Sequence, residues 1–212
     1  MGRKRNNQAI PDEPTDSLVR KYINEFVGNS RFMIGDGAIL SLVKLFPENS
    51  TFHEVLAKVC VINDLYATGI TATYDMANHI VVLEVDQALS LAGADIVDKI
   101  AWVSIGGKKR HNYSFASKYC AWHRPEHYPM FDDYVRQIFL AYRDKDNFAT
   151  FEDADLRQYP LFKQIVNAFQ SQYRLSGYSY RELDYFLWGY GKKLFPKQYK
   201  KITEQVAPPD RR

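Results

Sequence analysis

The chain has 212 residues, enough for one globular domain with a full core or for two small lobes around a cleft. Apolar residues make up 46% and charged residues 25%, the balance of a folded chain rather than a disordered one. No apolar run reaches the ~18 residues that span a bilayer, no signal-peptide core follows Met1, and Cys60 and Cys120 stand alone without metal or iron–sulfur spacing. The expectation is a cytoplasmic monomer with no metal and no cofactor.

Residues 1–15 are polar and punctuated by proline, the pattern of a loosely attached arm. Thr15 or Asp16 is placed to cap a first helix through Val27, with Leu18, Tyr22, Ile23, Phe26 and Val27 on one face. A capping-box pattern at Ser50/Thr51 opens a helix to about Tyr66. Ala-Thr-Gly-Ile-Thr breaks it, and a further helix runs from about Ala72 to Leu83. Shorter helical segments fit Val85–Leu91 and Ala94–Val103, with Gly106-Gly107 as the stop. Tyr113–His123 comes next and Pro125 closes it. Asp132 is a good N-cap for Asp133–Tyr142. An acidic loop then leads to Tyr159–Leu175, and Ser179 caps Tyr180–Leu194. Strand alternation of useful length is absent. The fold class predicted is all-α with roughly ten helices over residues 16–198, followed by a basic tail, 199–212.

The net charge of +3 decides little, but its distribution is uneven. Six Lys or Arg and no acid fall between Lys99 and Pro125, and seven basic residues crowd Gly191–Arg212. Acids gather between Asp144 and Asp155. Such segregation makes a one-sided positive field suited to a polyanion. Aromatic residues at 15% suit a dense core and also base stacking.

The stretch 108-KKRHNYSFASKYCAWHRPEHYPMFDDYV-135 carries the chemistry. Lys118 sits on a helix among Phe115, Tyr119 and Trp122, a setting that desolvates an amine and favours its neutral, nucleophilic form. Asp132, at a helix N-cap, is held ionised and oriented by backbone N–H groups, and can stabilise a developing cation or activate a nucleophile. A surface lysine and a plain helix cap are the structural alternatives.

The run 113-YSFASKYCAWHRPEHYPMFDDYV-135, with 61-VINDLYATGI-70 and 183-LDYFLWGYGKK-193, resembles the bacterial proteins of the 8-oxoguanine glycosylase fold, within the helix-hairpin-helix DNA glycosylases. The resemblance implies two small helical lobes around a cleft, a partner in double-stranded DNA, and hydrolysis of the N-glycosidic bond of a flipped, altered base. It implies Asp132 as the catalytic carboxylate and Lys118 as the amine. The family's usual spacing back from Asp132 lands on Ser114, one turn before Lys118 on the same face. Lys118 is therefore either a displaced nucleophile or no nucleophile, with water attacking in the second case. Lys108, Lys109 and Arg110 beside the Gly-Gly turn become phosphate contacts. Asn63, Tyr66 and Thr68 become candidates for the turn that enters DNA. Trp188, Phe186, Trp122, His123 and Ser114 become candidates for the base pocket. The excised base is 8-oxoguanine or a bulky modified cytosine of phage DNA, and the competing readings are a DNA-binding module without chemistry and a scaffold domain.

Overall fold

Ten α-helices and one two-stranded antiparallel hairpin are laid down by residues 10–196, the part of the chain that the computed structural model describes. The helices in chain order are α1 (Asp16–Val27), α2 (Ser30–Leu45), α3 (Phe52–Tyr66), α4 (Thr73–Val82), α5 (Val85–Ser90) and α6 (Asp95–Ala101). After the hairpin strands β1 (Trp102–Ile105) and β2 (Lys108–His111) come α7 (Tyr113–His123), α8 (Asp133–Asp146), α9 (Tyr159–Gln172) and α10 (Tyr180–Leu194). The mostly helical class is as predicted. Among the described residues no helix is long and apolar enough to cross a membrane.

Local chemistry explains most boundaries. The Thr15 hydroxyl accepts from the Leu18 amide at the start of α1. Ser179 and Glu182 form a reciprocal capping box on α10, which satisfies two orphan donors at once. Thr51 does open α3, but its hydroxyl makes no capping bond.

Three expectations need correction. The arm predicted over residues 1–15 is fastened from Pro11 onward: Lys145 Nζ donates to the Pro11 carbonyl (3.0 Å) and the Tyr142 hydroxyl to the Asp12 carbonyl (2.7 Å). Residues 1–9 and the tail predicted at 199–212 lie outside the described residues. Second, α2 was not expected. Its segment SRFMIGDGAILSLVKL has apolar residues all round, leaving Ile34 and Leu45 exposed while Ile39 is buried, so no single stripe marks it. Gly35 and Gly37 further weaken its intrinsic helix signal, by about 1 kcal/mol each. Third, the helix predicted to Val103 ends at Ala101 and gives way to β1. Gly106 and Gly107 both take positive φ (56° and 75°), the conformation that a two-residue hairpin turn demands. Each strand has four residues, too few for alternation to register.

The buried side chains form one contiguous apolar cluster that runs through both halves of the chain. Helix α10 packs on α1 and α8, and α3 packs on α4 and α7. The approach of α10 to α8 requires a glycine: a Cβ on Gly191 would lie 2.9 Å from Tyr134 Cβ and 3.0 Å from the Tyr134 carbonyl oxygen.

One buried cation holds the loop between α2 and α3. Lys58 is fully buried and donates to the Phe46 carbonyl (2.9 Å), the Glu48 carbonyl (2.7 Å) and Asn49 Oδ1 (2.7 Å). Asp86 accepts from both amide groups of Asn49 (2.8 and 2.6 Å). Burial lowers the Lys58 amine to about 8, against the pull of Asp86 and Glu54. Lys58→Met is expected to lower folding stability by about 3 kcal/mol, because buried acceptors lose their donor together. Denaturant unfolding checks this, and a loss below about 1 kcal/mol would mean that the loop relaxes to water.

Candidate active site

The residues of α7 at Ser114, Ser117 and Lys118 share one face, as i, i+3 and i+4 spacing requires. Together they strap the segment that leads into α8. Ser117 Oγ accepts from the Phe131 amide (3.0 Å), and Lys118 Nζ donates to the Phe131 carbonyl (2.7 Å) and to Ser114 Oγ (2.7 Å). The next residue is Asp132. Its Oδ1 caps α8 by accepting from the Tyr134 amide (3.0 Å), and its Oδ2 lies 3.6 Å from Lys118 Nζ. The strap thus brings together an amine and a carboxylate fourteen positions apart in the chain. Lys118 is only 3% exposed and Asp132 24%, so this pair sits in a low-dielectric setting with one carboxylate edge reachable.

Both side chains line a cavity of about 310 Å³. Its aromatic lining is Phe26, Phe32, Tyr66 and Trp188, and its acids are Asp36, Asp64, Asp132 and Asp184. The volume and mixed lining fit a small organic ligand with a flat apolar body and polar edges. Lys118 Nζ is 5.4 Å from the centre of the Tyr66 ring. Arg181 braces the same wall: its guanidinium lies 3.7 Å over the Trp122 ring and donates to the Tyr66 hydroxyl (3.1 Å). Asp36 accepts from the Tyr185 hydroxyl (2.8 Å).

Burial governs the protonation of this lining. It pushes the Asp36 carboxyl up, with Arg181 and the Tyr185 hydrogen bond opposing. It pushes Asp184 up to about 7, with Arg181 and Lys118 opposing and Asp132 and Asp36 adding to the rise. Asp184 keeps some accessible surface because the cavity reaches it; the desolvation comes from the protein packed around it. Burial thus raises two acids of one cavity, Asp184 well above the usual carboxylate range, a pattern common where acid and base roles are divided.

The structure sorts the predicted residues. Lys118, Asp132, Tyr66 and Trp188 line the cavity, and Ser114 touches it through Lys118. Asn63 and Thr68 do not project outward. Asn63 Oδ1 accepts from the Thr68 hydroxyl (2.7 Å) and the Ile70 amide (2.9 Å), and its amide donates to the Ile70 carbonyl (3.0 Å); both side chains are occupied in closing the turn after α3. Phe186 is fully buried and stacks on Tyr190 in the core, two positions from both Asp184 and Trp188 and so away from the face of α10 that carries them. Trp122 supports Arg181 from outside the cavity lining. His123 faces away, against Tyr119 (4.9 Å), and burial lowers its imidazole to about 3 with Lys58 adding to the effect. Lys108, Lys109 and Arg110 are exposed along β2. Beside them the exposed Trp102 stacks on His111 at 4.2 Å.

Sequence reasoning missed Phe26, Phe32, Asp36, Arg181 and Asp184. For Asp184 a signal was available, since it precedes Trp188 by one helical turn. For Phe32 and Asp36 none was, because α2 itself was unforeseen.

Comparison with known proteins gives two matches. The family model HI_0787_N, described as an N-terminal domain, matches residues 18–127, from α1 through Lys118 to the end of α7. An uncharacterized protein of Haemophilus influenzae (strain ATCC 51907 / DSM 11121 / KW20 / Rd) is 37% identical over 155 residues, covering 72% of this chain and 74% of the relative. No solved structure matches.

Proposed function

The chain belongs to the HI_0787_N family, and we propose that it is a DNA glycosylase of the helix-hairpin-helix kind, which excises an altered base from double-stranded DNA. The observation that carries this reading is the Lys118–Asp132 pair, 3.6 Å apart on the wall of an aromatic and acidic cavity. A flipped base needs such a cavity, with π faces for its rings and polar groups at its edges. Breaking the N-glycosidic bond leaves positive charge on the sugar, which the fixed negative charge of Asp132 stabilises. Lys118 then supplies the attacking amine, or water does. The sets of helices on either side of the cavity act as two lobes. The β1–β2 hairpin takes the place of a helix hairpin, with Lys108, Lys109 and Arg110 on phosphates. The base is oxidised guanine or an enlarged, modified cytosine.

The test is mass spectrometry of free bases released from genomic and phage DNAs, followed by alkaline cleavage of the treated strands. No released base from any of these DNAs would overturn the proposal. Duplex binding that persists without release would instead support a binding module, the reading favoured by the exposed basic strand taken alone.

The hairpin gives a separate expectation. Replacing Lys108, Lys109 and Arg110 together with alanine should flatten the salt dependence of duplex binding. Each lost phosphate contact removes roughly 0.9 from the slope of log K against log salt, so the full change approaches about 2.7. Binding titrations at several salt concentrations measure it. An unchanged slope would locate the phosphate grip elsewhere.

A further inference from the structure

We infer that Asp184 is a second catalytic carboxyl group in this cavity, the one that hands a proton to the base as it leaves. The inference rests on the glycosylase reading. Asp184 lies on α10 one turn before Trp188, and both line the cavity that holds Lys118 and Asp132. Among the described residues no hydrogen bond ends on the Asp184 carboxyl group, and the influences on it are burial and through-space charge alone. A carboxyl group sheltered in this way, with no protein partner, is left to interact with whatever fills the space beside it.

The charged and titratable groups around Asp184 come from every wall. Arg181 stands on its own helix, Lys118 on α7, Asp132 at the start of α8 and Asp36 on α2; Arg31 on α2 and Asp64 and Tyr66 on α3 complete the lining. The two acids nearest the chemistry differ in kind. Asp132 is tied to a backbone amide at one oxygen and lies 3.6 Å from the Lys118 amine at the other, a carboxyl group fixed in place by the fold. Asp184 is buried without such a bond and is pushed up to about 7, which suits a proton donor near neutrality. One environment favours the stabiliser of a cation and the other a general acid.

The step balances as follows. The C1′–N bond breaks and its electron pair goes to the base, where the Asp184 carboxyl proton is transferred to a ring nitrogen or carbonyl oxygen. The nucleophile, the neutral Lys118 amine or water, bonds to C1′ and gives up a proton to the Asp132 carboxylate, and an amine adduct is afterwards released from C1′ by water. Solvent then takes that proton and returns one to Asp184, so the sum is addition of water across the glycosidic bond. The donor must be protonated, and activity therefore falls as pH rises through its titration.

The experiment is single-turnover base release across about pH 5 to 9, with duplex affinity and thermal unfolding measured alongside. Asp184→Asn is expected to lower the rate on the order of 100-fold and to erase the alkaline limb of the profile, while affinity holds within a few-fold. Wild-type protein that releases no base would overturn the glycosylase reading itself. Wild-type activity with an Asp184→Asn rate within about threefold, or with its alkaline limb intact, would overturn only the role of Asp184. Should Asp184→Asn unfold at the assay temperature, Asp184→Glu serves instead. A displaced limb then supports the inference, and a limb unmoved from its wild-type position overturns it.

Discussion

Asp132→Asn is expected to abolish base release, with the single-turnover rate down by about three orders of magnitude or more, and to leave folding and duplex affinity near wild type. Both halves of this expectation come from the geometry. Oδ1 caps α8 through the Tyr134 amide, and asparagine is an equally good N-cap, so the helix start survives. Oδ2 faces Lys118 at 3.6 Å, and there the substitution removes the only thing that counts for a cationic transition state, its negative charge. Asp133→Asn is the control. Asp133 is turned toward Arg136 (2.9 Å) and Gln137 (2.9 Å), and its loss is expected to change the rate by less than about twofold, as for other surface changes of a few tenths of a kcal/mol. Base-release kinetics and thermal melts of the two variants decide the matter. The opposite pattern would move the catalytic carboxylate by one residue. Full activity in both would end the glycosylase mechanism.

Lys118 is expected to form a Schiff base with the sugar C1′, so that borohydride traps a covalent complex of wild-type protein and DNA. Lys118→Ala and Lys118→Gln should both lose the adduct and slow base release by roughly 100-fold or more. The strap beside Lys118 makes these variants interpretable. The Phe131 carbonyl loses one donor but keeps the Ser114 hydroxyl (3.3 Å), and the Phe131 amide still donates to Ser117 Oγ (3.0 Å), so the approach of Asp132 to α7 does not depend on the amine. Ser114 sits at the amine as an acceptor, 2.7 Å from Nζ, and Ser114→Ala should leave trapping in place. A wild type that gives no adduct, with base release intact in both lysine variants, would assign the attack to water held by Asp132.

Much of this molecule is legible along the chain. Helices α1, α8 and α10 announce themselves through Thr15, Asp132 and Ser179, because a cap is a bond between residues two or three positions apart. The face shared by Ser114 and Lys118 follows from helical spacing alone. That explains why the spacing which points to Ser114 and the amine at Lys118 concern one place in the structure: the two side chains touch. Helix α9, expected to Leu175, ends at Gln172, where Arg174 takes a left-handed φ of 57° and the Leu175 amide donates to the Gln170 carbonyl (2.7 Å), a stop of the kind that glycine more often supplies.

The errors lie where packing decides. Phe186 and Trp188 are two positions apart on α10 and look alike as candidates. One is core and the other wall, since Phe186 and Tyr190 of α10 face Tyr22 while Trp188, about 200° round the helix from Phe186, faces the cavity. Asn63 and Thr68 read as an outward turn until their hydrogen bonds to Ile70 and to each other are seen. Helix α2 has no stripe of its own; its packing on α1, α3 and α7 determines that Phe32 and Asp36 are used and Ile34 is left to solvent. Local order thus came from bonds that span a few residues, and those are written in the chain. The acidic cavity came from residues as far apart as Asp36 and Asp184, whose shared burial exists only once α2, α3, α7 and α10 have closed around it and removed their carboxyls from water.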